Sequence, residues 1–250
     1  MTPKKRKNFV TPASDYTSFS KRIDDCKFYL RESPFYQEVL SALEKSLETV
    51  NVGKVEHCIC YGLGNISSSV ISRYQLALLI LLRDHFKLNV DVYDPVFLPI
   101  ELDYLAKFEM NIIDNNEEGL RKITSPTLMY MPHCPTALMN NLLWSNWLPS
   151  LSNCIVFGNS FTLLSETLTE RDLKTKYQCI HSIFPVTCEL RIENDFKYSD
   201  IFNDLSLHVF PSNALKELPP AFWENVKKPI YDDCDVECIT KKLSETNVNQ

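Results

Sequence analysis

Hydrophobic and polar positions alternate in blocks along the chain, and the blocks switch repeatedly between a helical and a strand period. Ser33-Pro34 opens a segment whose apolar positions Val39, Leu40, Leu43, Leu47 and Val50 share one face, predicting a helix, and Gly53 closes its connection to a strand over Val55 to Cys60. That strand runs into the glycine turn Cys60-Tyr61-Gly62-Leu63-Gly64-Asn65 and then a helix from about Ser67 to Phe86. A second strand, Asn89 to Tyr93, ends at Asp94-Pro95, and a helix follows across Ile100, Leu102, Leu105 and Phe108. Met110 to Ile113 reads as a third strand. Thr127 to Met131 is a fourth, ending at Pro132-His133-Cys134-Pro135, with a helix over Ala137 to Trp147 behind it. Cys154 to Phe157 is a fifth, ending at Gly158-Asn159-Ser160. The apolar runs Cys179 to Phe184 and Leu207 to Phe210 are candidates to extend the sheet, one of them antiparallel. Short, continuous apolar strands separated by helices require a parallel sheet covered on both faces. The predicted fold class is therefore α/β, a doubly wound, Rossmann-like and mostly parallel sheet with helices on both faces.

The ends of the chain do not share this pattern. Pro3-Lys4-Lys5-Arg6-Lys7 concentrates charge without hydrophobic periodicity, so residues 1–30 read as a basic, flexible arm carrying an import-like run. Residues 31–226 form the α/β domain, and residues 227–250, with Asp232-Asp233-Cys234-Asp235, read as an acidic, polar tail. A net charge of -6 argues against a general nucleic-acid binder, which needs a basic face. No apolar run is long enough to span a bilayer, and the N-terminus carries no secretory pattern, so a soluble protein is expected. Nine cysteines, scattered through strand-like runs, read as reduced thiols of an intracellular chain.

In an open α/β sheet the ligand crevice lies beyond the carboxyl ends of the strands. Here those ends carry Gly62 and Gly64, Asp94, Asp114 and Asn115, His133 and Cys134, and Asn159 and Ser160, all expected to converge. The turn resembles G-x-G-x-x-G with Ser67 in place of the third glycine, and Asp94 ends the next strand about 30 residues later, where an acid accepts hydrogen bonds from ribose hydroxyls. The candidate binding residues are Gly62, Gly64, Asn65, Ser67, Asp94, Asp114, His133 and Asn159. The ligand they suggest is of nucleoside type, S-adenosylmethionine first and a dinucleotide second; Cys134-Pro135 raises a weaker haem reading. The competing explanation is a tight turn needed for folding, with Asp94 capping the next helix. No zinc-site spacing is present, and Gly158-Asn159-Ser160 lacks the second glycine of a hydrolase elbow.

Six motifs in fixed order make a more specific pattern than the turn alone. They are Cys60-Tyr61-Gly62-Leu63-Gly64-Asn65; Val92-Tyr93-Asp94-Pro95; Asn116-Glu117-Glu118-Gly119; His133-Cys134 with Asn140-Asn141-Leu142-Leu143-Trp144-Ser145-Asn146-Trp147; Gly158-Asn159-Ser160-Phe161; and Phe202-Asn203-Asp204 through His208-Val209-Phe210-Pro211. Between Cys58 and Pro211 the chain resembles the Sensitivity-to-Red-light-Reduced, or SRR-like, family. That resemblance implies a regulatory protein of cytoplasm and nucleus, tied in plants to light signalling and the circadian clock and in animals to clock-gene expression and haem biosynthesis. It implies no settled catalytic activity. Three functions follow as expectations: a regulator sensing a small ligand through the crevice, an S-adenosylmethionine-dependent methyltransferase, or a scaffold with a vestigial pocket. The expected partners are a small molecule and other proteins, with no membrane and no direct nucleic-acid contact.

Overall fold

The computed structural model describes residues 13–224 and 226–231. In chain order the elements are α1 (Ala13–Arg31), α2 (Pro34–Thr49), β1 (His57–Tyr61), α3 (Val70–Phe86), β2 (Asn89–Tyr93), α4 (Pro99–Lys107), β3 (Asn111–Ile112), β4 (Thr127–Met131) and α5 (Thr136–Ser145). They continue with β5 (Cys154–Asn159), α6 (Phe161–Thr167), α7 (Glu170–Lys176), α8 (Gln178–Ile183), β6 (Cys188–Arg191), β7 (Leu205–Val209), α9 (Ser212–Glu217) and α10 (Pro220–Glu224).

The sheet order is β3-β2-β1-β4-β5-β7-β6. β1 to β5 are mutually parallel, while β7 runs antiparallel between β5 and β6. The strand order switches sides at β1, which pairs with β2 on one side and β4 on the other, and in a doubly wound fold this switch is where a ligand crevice is expected. The two faces have separate cores. Cys58, Cys60, Tyr130 and Phe157 point toward α1, α2 and α3, whereas Ile59, Tyr61, Met129 and Val156 pack toward α5 and α8. The one-residue alternation along each strand divides the apolar residues between two layers of helices, as the predicted fold requires.

Helix starts follow local chemistry. The Ser33 hydroxyl accepts from the Tyr36 amide at the head of α2, and the Ser69 hydroxyl accepts from Ser72 at the head of α3. α3 ends on Lys87 in the left-handed region (φ 58). Ser72 and residues Tyr74 to Leu82 of this helix are buried, because it packs between the sheet and α1.

Three expectations are corrected. Residues 13–30 are not a flexible arm: α1 buries Phe19, Ile23, Cys26 and Leu30 at helical spacing and packs along α3. The basic run Lys4 to Lys7 and the acidic residues beyond Tyr231 lie outside the described residues. The apolar stretch from Cys179 is not a strand but α8, and the Asn140 side-chain oxygen accepts from the amides of Cys179 and Ile180 at its first turn. Finally, β3 shrinks to two residues, and the sheet gains β6, a half-buried strand beside the reversed β7.

Candidate functional site

The turn after β1 is built by backbone geometry that favours glycine. Gly62 and Gly64 have φ of 77° and 72°. A Cβ on Gly62 would lie 2.5 Å from the Cys134 Sγ, so the turn lies directly against the end of β4. Its amides, expected to stand open to an anion, are engaged by the chain's own carboxylates. Gly64 N–H donates to Asp94 Oδ2 at 2.7 Å, and Val96 N–H donates to Asp94 Oδ1 at 3.0 Å. Ser67 N–H donates to Glu101 Oε1 at 2.6 Å, while Leu98 N–H donates to Glu101 Oε2 at 2.7 Å. Burial pushes the Asp94 carboxyl above its ordinary range; the two amide bonds oppose that rise, and nearby Glu101 adds to it. The Asn65 side-chain oxygen accepts from Ser68 N–H, and Arg73 donates to the carbonyls of Ile66 and Ser67. The Ser67 hydroxyl is buried without a hydrogen-bond partner.

The ends of β4 and β5 meet in a different place. His133, in the left-handed region (φ 53), has Nδ1 3.2 Å from Gln75 Nε2 and Nε2 3.0 Å from the Asn203 carbonyl. The Gln75 amide is a donor, which places the ring hydrogen on Nε2 and leaves both nitrogens engaged. The buried Cys134 thiol donates to the Tyr61 carbonyl at 3.1 Å, and Asn159 Nδ2 donates to the Cys134 carbonyl at 2.8 Å. His133, Cys134 and Asn159 line an open cleft of about 350 Å³ together with Thr136, Ser160 and Asp204. The predicted convergence is therefore divided. Gly64, Ser67 and Asp94 cluster with Glu101; His133 and Asn159 line the cleft; Gly62 and Cys134 form the junction between them. Asp114 is exposed beyond β3 and does not line the cleft.

A buried polar cluster supports the cleft floor. The Ser160 hydroxyl donates to Glu189 Oε1 at 2.5 Å, and Thr162 donates to Glu189 Oε2 through its amide (3.0 Å) and its hydroxyl (2.8 Å). His208, fully buried against the Phe161 ring, accepts from Phe161 N–H at Nε2 and sets Nδ1 3.2 Å from the Val156 carbonyl. Its Nε2 lies 3.6 Å from Glu189 Oε1. Burial pushes the Glu189 carboxyl upward, yet the Ser160 and Thr162 donors outweigh it and hold the group below the usual range. The Gly158-Asn159-Ser160-Phe161 and His208 motifs thus fix the start of α6.

Other motif residues are also structural. Asn141 Nδ2 donates to the Glu118 carbonyl, while Asn146 accepts from Ile123 N–H at 2.7 Å and donates to the carbonyls of Arg121 and Leu142. Tyr61 donates to Glu117 Oε2 at 2.5 Å, and Arg121 donates to the same oxygen at 2.8 Å. Glu101, Gln75 and Glu189 were not among the predicted site residues. Pro99 followed by Glu101 is a legible helix-start signal; no local pattern marks the other two.

The seven cysteines among the described residues are free thiols. Burial pushes Cys154 and Cys179 up to about 12, far from the thiolate a nucleophile needs. Among the described residues no group of three His, Cys, Asp or Glu side chains could hold a metal ion, and no helix is long and apolar enough to cross a membrane.

Comparison with known proteins places this arrangement. A crystal structure of MtNAS in complex with MTA and tNA aligns with the chain at a TM-score of 0.41 and 12% identity, covering 79% of this chain and 73% of that one. The chain is 34% identical to an SRR1-like protein of Drosophila melanogaster over 215 residues, 85% of this chain and 76% of the relative. It is 42% identical to an SRR1-like protein of Mus musculus over 131 residues, 50% of this chain and 53% of the relative. With the protein Sensitivity to Red Light Reduced 1 of Arabidopsis thaliana, identity is 34% over 203 residues, 76% of this chain and 74% of that one. The SRR1 domain matches residues 39–209, from α2 to the end of β7, and by that match and those relatives the chain belongs to the SRR1 family.

Proposed function

We propose that this chain is a regulatory protein whose crevice beside the glycine turn holds a nucleoside ligand without phosphates, S-adenosylmethionine being the first candidate. The observation that carries the ligand reading is the pair of carboxylates in the turn: Gly64 and Ser67 give their amides to Asp94 and Glu101. A dinucleotide would set its pyrophosphate against two acids and compete for amides already engaged. A ribose brings hydroxyl donors, and an ionised carboxylate with two bonds made still has lone pairs to accept them. A sulfonium centre gains from the same negative charge.

Regulation is favoured over methyl transfer by the state of the candidate bases. His133 has both ring nitrogens engaged, and the Cys134 thiol is buried on the Tyr61 carbonyl, which also weakens the haem reading. The physiological role, in circadian and light-type signalling and in control of haem biosynthesis, is supported by family membership, as is residence in cytoplasm and nucleus. The test is replacement in cells depleted of the protein. Wild type restores clock-transcript rhythm and haem level, while Gly64→Val and Asp94→Ala, present at wild-type abundance, do not. Full restoration by both variants would leave the scaffold reading in its place, and unaltered rhythm and haem on depletion would remove the physiological role.

A further inference from the structure

The cleft between the β4–α5 turn, the head of α6 and the loop before β7 differs chemically from the glycine turn. Its volume of about 350 Å³ is in the range that holds a small metabolite. The polar groups along it divide into those engaged within the protein and those left open. His133 is engaged at both nitrogens, the Ser160 hydroxyl at Glu189, and the Thr167 hydroxyl at the Leu163 carbonyl. Asp204, with φ 59°, accepts from Asn203 Nδ2 at one carboxylate oxygen, and the other has no protein partner among the described residues. Within the same set, neither the Asn159 side-chain oxygen nor the Thr136 hydroxyl has a protein partner; Asn159 uses only its nitrogen, toward the Cys134 carbonyl.

The open side-chain groups are therefore a carboxylate oxygen, an amide oxygen and a hydroxyl. Among the described residues no lysine or arginine lines the cleft, and Leu163, Leu164 and Pro135 supply an apolar wall. An anion would face the Asp204 carboxylate with no cationic side chain beside it among the described residues. An ammonium group carries three N–H donors and no acceptor, which is the complement of these open groups. The overall charge of -6 favours the same sign of ligand. We propose that this cleft is a second ligand site, distinct from the nucleoside crevice, which takes a small organic amine with an apolar body and recognises its ammonium through Asp204.

Three near-isosteric probes of different charge test this on the full chain: 2-phenylethylamine, 2-phenylethanol and phenylacetate. The readout is movement of the backbone amide resonances of Thr136, Ser160 and Leu163. Probes of this size bind in the millimolar range. The amine should give saturable shifts there, the alcohol should bind about tenfold more weakly for want of one charge-assisted hydrogen bond, and the acid should give none. Asp204→Asn keeps the side-chain shape and tolerates the left-handed backbone, so it should fold normally and reduce the amine to the level of the alcohol. Equal binding of all three probes, no saturable shift at those amides, or an undiminished amine preference in Asp204→Asn would each overturn the proposal. Asp94→Ala should leave the amine titration unchanged, which separates this site from the nucleoside crevice.

Discussion

Gly62 sits where β1 ends, with a positive φ and the Cys134 sulfur occupying the space a side chain would need. Gly62→Ala combines a strained left-handed alanine with overpacking, and should cost about 2–4 kcal/mol in denaturant unfolding. Gly53→Ala has nothing within 4 Å of its new methyl and should remain within about 1 kcal/mol of wild type. Glu189 sets a pH dependence. Its folded-state carboxyl titrates below the ordinary 4.5, so the unfolded chain takes up a proton first as acid is added. The stability it contributes is complete above about pH 4.5 and is lost as the pH falls toward the folded value. Glu189→Gln should lower stability at neutral pH and flatten the acid limb of the stability profile. An unchanged acid limb would mean that the Ser160 and Thr162 bonds do not hold the ionised form. Asp94 has the opposite sign: its carboxyl is pushed up, so folding is favoured, not penalised, as that group protonates.

α1 shows what an element contributes beyond its own pattern. Phe19 is fully buried and meets Tyr104 edge-on at 5.2 Å between ring centroids, so Phe19→Ala should cost about 3–5 kcal/mol. Deleting Lys4 to Lys7 tests the import reading by where the protein accumulates. At the C-terminal cap of α5, Asn146→Ala removes the acceptor for a buried Ile123 amide and two donors to carbonyls, and should cost about 2–3 kcal/mol in denaturant unfolding. These elements differ in how far they were legible. The helix over Val70–Phe86 and the strands β1, β2, β4 and β5 are continuous apolar blocks, and periodicity finds them. α1 hides because Phe19, Ile23, Cys26 and Leu30 are spaced among serines, lysines and aspartates, and its burial depends on the α3 surface it covers. Cys179 to Ile183 is apolar enough for a strand, and only Asn140, some 40 residues away, offers its amides a helix-start partner. β6 is short and half-buried, so no periodic signal marks it before β7 is in place.

At the scale of the molecule, the strand order puts its switch point beside β1, and the strand ends read from sequence lie along that edge. What sequence does not reveal is how the edge is divided. Carboxylates from the β2–α4 segment fold back onto the glycine turn, the Cys134 wall stands beside it, and Asp114 remains outside the cleft. Each of these facts depends on contacts between residues tens of positions apart, for which spacing carries no signal. They also change the expected ligand, because an anion cradle closed by acids disfavours phosphates. The most direct measurement is thermal unfolding of the full chain with S-adenosylmethionine and, separately, with NAD, using Asp94→Ala as the control. S-adenosylmethionine at a hundredfold excess over its dissociation constant should stabilise the wild type by about 2.7 kcal/mol, NAD should not, and the shift should vanish in the variant. A shift produced by NAD in preference, one that survives in Asp94→Ala, or no shift with either ligand would contradict the account.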